Sequence, residues 1–188
     1  RLFNLIIQSA ISLVNNYGGF FAYLYGKNPF TFYQFHLKMK EKGGFNMTKI
    51  KVGVMGGYRG TGMINYCKIA DNAEIVAICD NNPDVLTEQK KRCEGYNITF
   101  YDNFDEFINH DMDAVVLANY ATEHAPFAIR AMKAGKHVYS EVLPVQTMKE
   151  AVKLIEAVEE TGKVYAYGEN YCFMPAPYEM KKLYRAGK

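Results

Sequence analysis

No Cys-x-x-Cys pair occurs in the chain; its four cysteines, Cys67, Cys79, Cys93 and Cys172, are scattered. A metal cluster or a disulfide framework needs tighter organisation, so buried, reduced thiols are expected, no metal, and with them a cytoplasmic location. Missing too is any run of roughly 18–20 unbroken apolar residues, the length of a membrane helix. The nearest, from Leu2 to Val14, is interrupted by Asn4, Gln8 and Ser9, so no membrane partner is expected. Charge of one sign is also lacking. Of the 22 Lys+Arg and 20 Asp+Glu, five bases (Arg1, Lys27, Lys38, Lys40, Lys42) and one acid (Glu41) fall in residues 1–46, leaving 17 bases and 19 acids elsewhere. That balance gives no footprint for nucleic acid. With 49% hydrophobic and 22% charged residues, the 188 residues suit a globular chain of one domain, or one domain and an appendage.

Residues 1–46 differ in character from the rest of the chain. They are rich in Phe and Tyr, carry Gly18-Gly19 and Asn28-Pro29 breaks, and hold no sustained period. Lys42-Gly43-Gly44 lies just upstream of Met47, and Lys-Gly-Gly can be encoded by AAAGGAGGN, which contains a bacterial ribosome-binding sequence. The expectation is that translation starts at Met47 and that residues 1–46 are upstream DNA read in frame; a genuine amphipathic extension is the alternative. N-terminal sequencing of the native protein decides between them.

From Lys49 onward apolar runs and amphipathic stretches alternate. Ile50–Met55, Glu74–Cys79, Ile98–Tyr101, Asp113–Ala118, Lys136–Ser140 and Val164–Tyr167 read as six strands. Between them helices are expected over Gly60–Ala70, from the Asn82-Pro83 cap to about Cys93, over Phe104–Asn109, and from a Thr122 cap to Gly135. Thr147-Met148-Lys149-Glu150 is a capping box opening a helix whose inner stripe is Ala151, Leu154, Ile155 and Val158. Pro175–Lys188 reads as a further helix with Met180, Leu183 and Tyr184 on one face. Such alternation implies an α/β fold, a doubly wound, mostly parallel, Rossmann-like sheet in three αβα layers. The expected division is the extension over 1–46, one α/β domain over 47–172, and over 173–188 a helix leading on from it.

Ligands of such sheets bind at the carboxyl ends of the strands. The first strand runs into Gly56-Gly57-Tyr58-Arg59-Gly60-Thr61-Gly62, a loop whose glycines permit a tight turn and close approach of a pyrophosphate to the next helix's N-terminus. Tyr58 stands where a regular G-x-G-x-x-G has its second glycine. Asp80, at the tip of the second strand, can hold adenosine ribose hydroxyls and would repel a 2′-phosphate, which favours NAD over NADP; Arg59 pulls the other way. Asp80 as a mere helix cap is the plainer alternative. Three more segments leave the same edge: Asn119 to His124, Glu141 to Pro144, and Glu169-Asn170-Tyr171.

The run Asp113-Ala-Val-Val-Leu-Ala through Glu123-His124-Ala125, then Ala131-Met-Lys-Ala-Gly135-Lys136-His137-Val138 and Ser140-Glu141, resembles the N-terminal domain of the Gfo/Idh/MocA oxidoreductases, the relatives of glucose–fructose oxidoreductase and inositol dehydrogenase. The resemblance implies NAD or NADP binding and oxidation or reduction of a sugar-like hydroxyl, with a small carbohydrate-like substrate as partner. Gly56, Gly57 and Gly60, with Tyr58 and Arg59 between them, would line the pyrophosphate. Asp80 would meet the adenosine ribose, and Asn119, His124 and Glu141 would face the nicotinamide. The resemblance also implies a second, open antiparallel domain that carries the substrate and through which relatives often form homo-oligomers. One position departs from the family: its Glu-Lys-Pro lysine aligns with Val142 and its proline with Leu143. Valine can neither donate nor hold a proton, so the resemblance points to His124, Glu141 and Tyr171 as catalytic candidates, or to a group in the second domain, for handling the proton. Relatives that also lack the lysine include NAD-dependent glycosidases, whose Glu-Val-Pro and later Glu-Asn segments resemble Glu141-Val142 and Glu169-Asn170-Tyr171. Three readings therefore stand side by side: an oxidoreductase acting on a sugar or polyol CH–OH, a redox-cycling glycosidase, and a nucleotide-binding protein without catalysis.

Overall fold

The computed structural model describes residues 49–169 and 174–188. The reading of residues 1–46 and the candidates Tyr171 and Cys172 lie outside them.

Six strands form one sheet: β1 Ile50–Met55, β2 Ala73–Cys79, β3 Thr99–Tyr101, β4 Ala114–Leu117, β5 His137–Ser140 and β6 Tyr165–Tyr167. Their order is β3-β2-β1-β4-β5-β6 and every neighbouring pair is parallel. Helices α1 Thr61–Ile69, α2 Pro83–Arg92, α3 Phe104–Phe107, α4 His124–Lys133 and α5 Met148–Thr161 fill the crossovers, and α6 Pro175–Arg185 follows β6. Among the described residues no helix is long and apolar enough to cross a membrane.

Strand alternation sorts the core onto two faces, because successive side chains of a strand point to opposite sides. Val115 and Leu117 of β4 join Phe104, Phe107, Ala128, Met132, Val138, Leu154 and Ala157 beneath α3, α4 and α5. Val116 and Ala118 join Val52, Val54, Ile64, Ile75, Ile78 and Leu86 beneath α1 and α2. Both faces of the central strands are thus covered, as a parallel sheet requires, and this is why β4 carries no charge. Cys67, Cys79 and Cys93 are buried and unbridged. Burial pushes the Cys67 and Cys79 thiols up to about 12, which keeps them protonated packing groups.

Local signals placed most helix starts. Asn82 caps α2, its side chain accepting from the Asp84 amide, and the reciprocal Thr147/Glu150 box opens α5. Two readings need correction. Thr122 does not cap α4: Ala121–Glu123 tightens into a 3-10 turn, Glu123 occupies the cap position, and no side chain caps the helix. The inner stripe of α5 centres on Leu154 and Ala157, whereas Ile155 is 58% exposed. Each helical residue advances about 100°, so Ile155 has already turned off the core face.

One contact makes the β5–β6 edge sensitive to pH. His137 Nδ1 accepts the Val164 N–H at 3.0 Å, which requires an unprotonated Nδ1. Burial holds this imidazole below its ordinary value of 6.5; Lys163 adds to the effect and Asp113 opposes it. The unfolded chain then binds the proton more readily. The contribution is full above the unfolded value and is lost as pH falls through the folded one. Urea unfolding on either side of 6.5 is expected to show stability dropping on the acid side, and His137→Asn, which keeps an acceptor without a titration, is expected to flatten that slope. An equal slope in the variant removes His137 as its source.

Candidate functional site

The order of strands reverses at β1 and β4, and there the connections leave in opposite directions, opening a crevice at the carboxyl edge. Gly56 begins the crevice floor with φ +92°, a left-handed conformation. A Cβ on it would lie 2.4 Å from the Ala118 carbonyl carbon and oxygen, the main chain leaving β4. Gly60 comes equally close to β1: its Cβ would stand 2.4 Å from Val54 Cγ1 and 2.7 Å from the Gly56 oxygen. Its N–H donates to that same Gly56 oxygen at 2.8 Å, closing the loop into one turn. Gly60 caps α1 without a side-chain bond; the Thr61 N–H turns back to the Tyr58 oxygen at 3.4 Å, and those of Gly62 and Met63 follow it in the first turn with no side-chain cap.

Asp80 leaves β2 beside this loop and is fixed by two main-chain donors. Its Oδ2 accepts from the Gly57 amide at 2.8 Å and its Oδ1 from the Asn82 amide at 2.9 Å. A carboxylate offers about four acceptor sites, so two remain for a ligand. Tyr58 and Arg59 at the loop's tip are exposed, Tyr58 by 78%.

Past β4, Asn119 donates from Nδ2 to Glu123 Oε2 at 3.1 Å, while its buried Oδ1 has no hydrogen-bond partner among the described residues. His124 is 1% exposed. Its Nδ1 lies 2.9 Å from the Leu143 carbonyl oxygen and its Nε2 3.3 Å from that of Asn119. Both ring nitrogens therefore face main chain, and the imidazole ties the loop after β4 to the loop after β5. Glu141 begins the latter loop, its amide donating to the Leu117 oxygen at 2.9 Å. Its half-buried carboxyl is pushed up by desolvation; the Val142 amide and the Arg59 charge counter this, and Glu169 reinforces it. The charge of Arg59, on the loop after β1, thus reaches the Glu141 carboxyl on the loop after β5. Tyr167 Oη donates to Glu169 Oε2 at 3.5 Å along the same edge. Val142 is 36% exposed and Leu143 55% exposed where the resemblance leads one to expect Lys-Pro.

The structure therefore gathers Gly56, Gly57, Tyr58, Arg59, Gly60, Asp80, Asn119, His124 and Glu141 along one sheet edge. Sequence reasoning missed Gln89, which is 3% exposed on α2 and reaches the glycine loop with its amide. Its signal was there: Leu86 and Gln89 of α2 and Cys93 at its C-cap form one buried stripe, and a polar residue on that stripe needs a partner.

Residues 50–169 match a family model described as "Oxidoreductase family, NAD-binding Rossmann fold". Among curated proteins the chain is 33% identical over 136 residues to a "Glycosyl hydrolase family 109 protein" of Shewanella amazonensis, covering 68% of this chain and 30% of that one. It is 31% identical over 133 residues to an "Alpha-N-acetylgalactosaminidase" of Shewanella oneidensis, covering 66% and 29%. Among solved structures it is similar to the WlbA dehydrogenase of Bordetella pertussis in complex with NADH and UDP-GlcNAcA. The identity is 27%, the TM-score 0.57, and the match covers 64% of this chain and 36% of that one. The chain thus spans roughly a third of the length of these relatives.

Proposed function

The chain belongs to the Gfo/Idh/MocA oxidoreductase family and carries its NAD(P)-binding Rossmann domain, and from that we propose that the protein is an NAD-dependent oxidoreductase acting on a CH–OH group of a sugar, polyol or related compound. The observation that carries this reading is the joining of Asp80 to the glycine loop by the Gly57 N–H, at the same crevice where Glu141 emerges.

The residues present fit a dinucleotide. Gly56 and Gly60 leave a cradle that any Cβ would close, no side chain caps the first turn of α1, and Asn119 Oδ1 is a buried acceptor without a donor among the described residues. In the proposed arrangement the loop and the α1 N-terminus hold the pyrophosphate, and Asp80 holds the adenosine ribose. The Asp80 carboxylate, which would repel a 2′-phosphate, favours NAD, against the pull of Arg59. Bound there, the nicotinamide would supply hydride transfer. His124, with both nitrogens on main-chain carbonyls, positions the loops that flank it. Glu141, desolvated yet close to Arg59, is the described side chain best placed to hold or move a proton. Tyr171 is proposed to share that task.

A redox-cycling glycosidase is the second reading. Val142 in the lysine position favours it, and so does the similarity to relatives named as glycosyl hydrolases. One experiment separates the two. The intact protein is incubated with NAD and free sugars or polyols, and separately with an aryl N-acetylgalactosaminide. Net NADH from a free sugar is the expected outcome; aglycone release with no net cofactor change assigns the glycosidase; tight NAD binding with neither reaction sinks both.

A further inference from the structure

The glycine loop has Tyr58 where a regular fingerprint has glycine, yet it folds into a compact turn. The support comes from α2. Gln89 Nε2 lies 2.9 Å from the Gly57 carbonyl oxygen and 3.1 Å from Thr61 Oγ1, so its two N–H groups have one acceptor each. The Thr61 hydroxyl, accepting from Gln89, lies 2.8 Å from the Tyr58 carbonyl oxygen and 3.0 Å from that of Gly57 and donates its one hydrogen between them. Asp80 takes the Gly57 N–H, so both polar groups of Gly57 are held by protein. A Cβ on Gly57 would stand 3.0 Å from Val85 Cγ1 and 3.3 Å from Gln89 Cγ, so this glycine lets α2 close on the loop.

We infer that Gln89 is a positioning residue for dinucleotide binding: by drawing the Gly57 carbonyl toward α2 it turns the Tyr58 N–H outward, to the side where a pyrophosphate would lie. The geometry comes from the peptide unit. In a trans peptide the C=O of one residue and the N–H of the next point in opposite directions. Fixing the Gly57 oxygen inward therefore fixes the Tyr58 hydrogen outward. Glycine at position 58 would not be needed for this, because the orientation is imposed from α2 and not by backbone freedom. Gln89 can do so because it is buried, where a hydrogen bond meets little competition from water and an unmade one is costly. Gly57 thus gives its N–H to Asp80 and its carbonyl to Gln89, so the ribose anchor and the pyrophosphate loop meet at one residue through two separate peptide units.

The inference rests on the dinucleotide reading of this crevice, and its test keeps the two apart. Gln89→Met keeps the length of the side chain and removes both donors. NADH, ADP and adenosine are titrated against the intact wild-type and variant proteins, the last two by competition with NADH fluorescence. Loss of the Gln89 donors is expected to raise the dissociation constants of NADH and ADP roughly tenfold, leaving that of adenosine within about twofold. That selectivity is what a merely structural role would not produce. Equal weakening of ADP and adenosine, or an unchanged ADP constant, overturns the inference. Wild-type protein that binds neither NADH nor ADP overturns the dinucleotide reading itself. Should Gln89→Met fail to fold, Thr61→Val is expected to show the same selective loss of ADP, and its absence there likewise overturns the assignment.

Discussion

Gly56→Ala is expected to destabilise the fold by roughly 2–6 kcal/mol, combining backbone strain with overpacking, and to abolish measurable dinucleotide binding. Two independent effects act at this position. A φ of +92° is open to glycine and poorly to alanine. The added methyl would meet Ala118 carbonyl atoms at 2.4 Å and the Asn119 nitrogen at 2.5 Å, all main chain that cannot swing aside. Relief requires β1 and β4 to part where Met55 pairs with Leu117, in the middle of the sheet. Gly62→Ala is the matched control. Among the described residues nothing lies within 4 Å of the position its Cβ would take, and it sits in the first turn of α1. Its effect on stability is expected to be neutral or favourable, by up to about 1 kcal/mol. Denaturant unfolding of the two variants against wild type, with an NADH titration of each, measures both effects. A Gly56→Ala midpoint equal to that of wild type would remove the close approach as the reason for glycine.

The contrast between Gly56 and Gly57 shows what the sequence can and cannot disclose. That glycines end β1 was plain, and so was the crevice, because six apolar runs separated by amphipathic stretches leave few topologies other than a doubly wound parallel sheet. Why each glycine is there was not legible. Gly56 faces the β4 main chain and Gly57 faces α2, contacts between segments far apart in sequence. Gln89 escaped notice for the same reason, since its partners Gly57 and Thr61 lie 32 and 28 residues away. Thr122 misled in the other direction. A Thr before an apolar stretch satisfies the local rule for a cap, but the Gln146 side chain donates to the Thr122 carbonyl and the segment tightens into a 3-10 turn. Tertiary contacts overrode a local preference worth about 1 kcal/mol. His124 was legible as a residue of this edge, whereas its clasp on the Leu143 and Asn119 carbonyls depends on how the two loops meet.

Asp80→Ala is expected to weaken NADH binding by about 1–3 kcal/mol, through loss of charge-assisted hydrogen bonds to the ribose. The structure adds a second contribution. Asp80 also anchors the Gly57 and Asn82 amides, so alanine frees the loop and the α2 entry together with the ribose site. Asp80→Asn separates the two. It keeps one carbonyl oxygen able to accept from Gly57 and removes the negative charge. If the charge excludes a 2′-phosphate, Asp80→Asn is expected to narrow the preference for NADH over NADPH, with the NADPH constant holding steady or improving while the NADH constant rises. Arg59, exposed on the neighbouring loop, would then be available to the 2′-phosphate without a competing carboxylate. Parallel fluorescence titrations with both nucleotides read the ratio directly. An unchanged ratio in Asp80→Asn, beside a uniform loss in Asp80→Ala, would leave Asp80 as an anchor of the loop alone and take cofactor selection away from it.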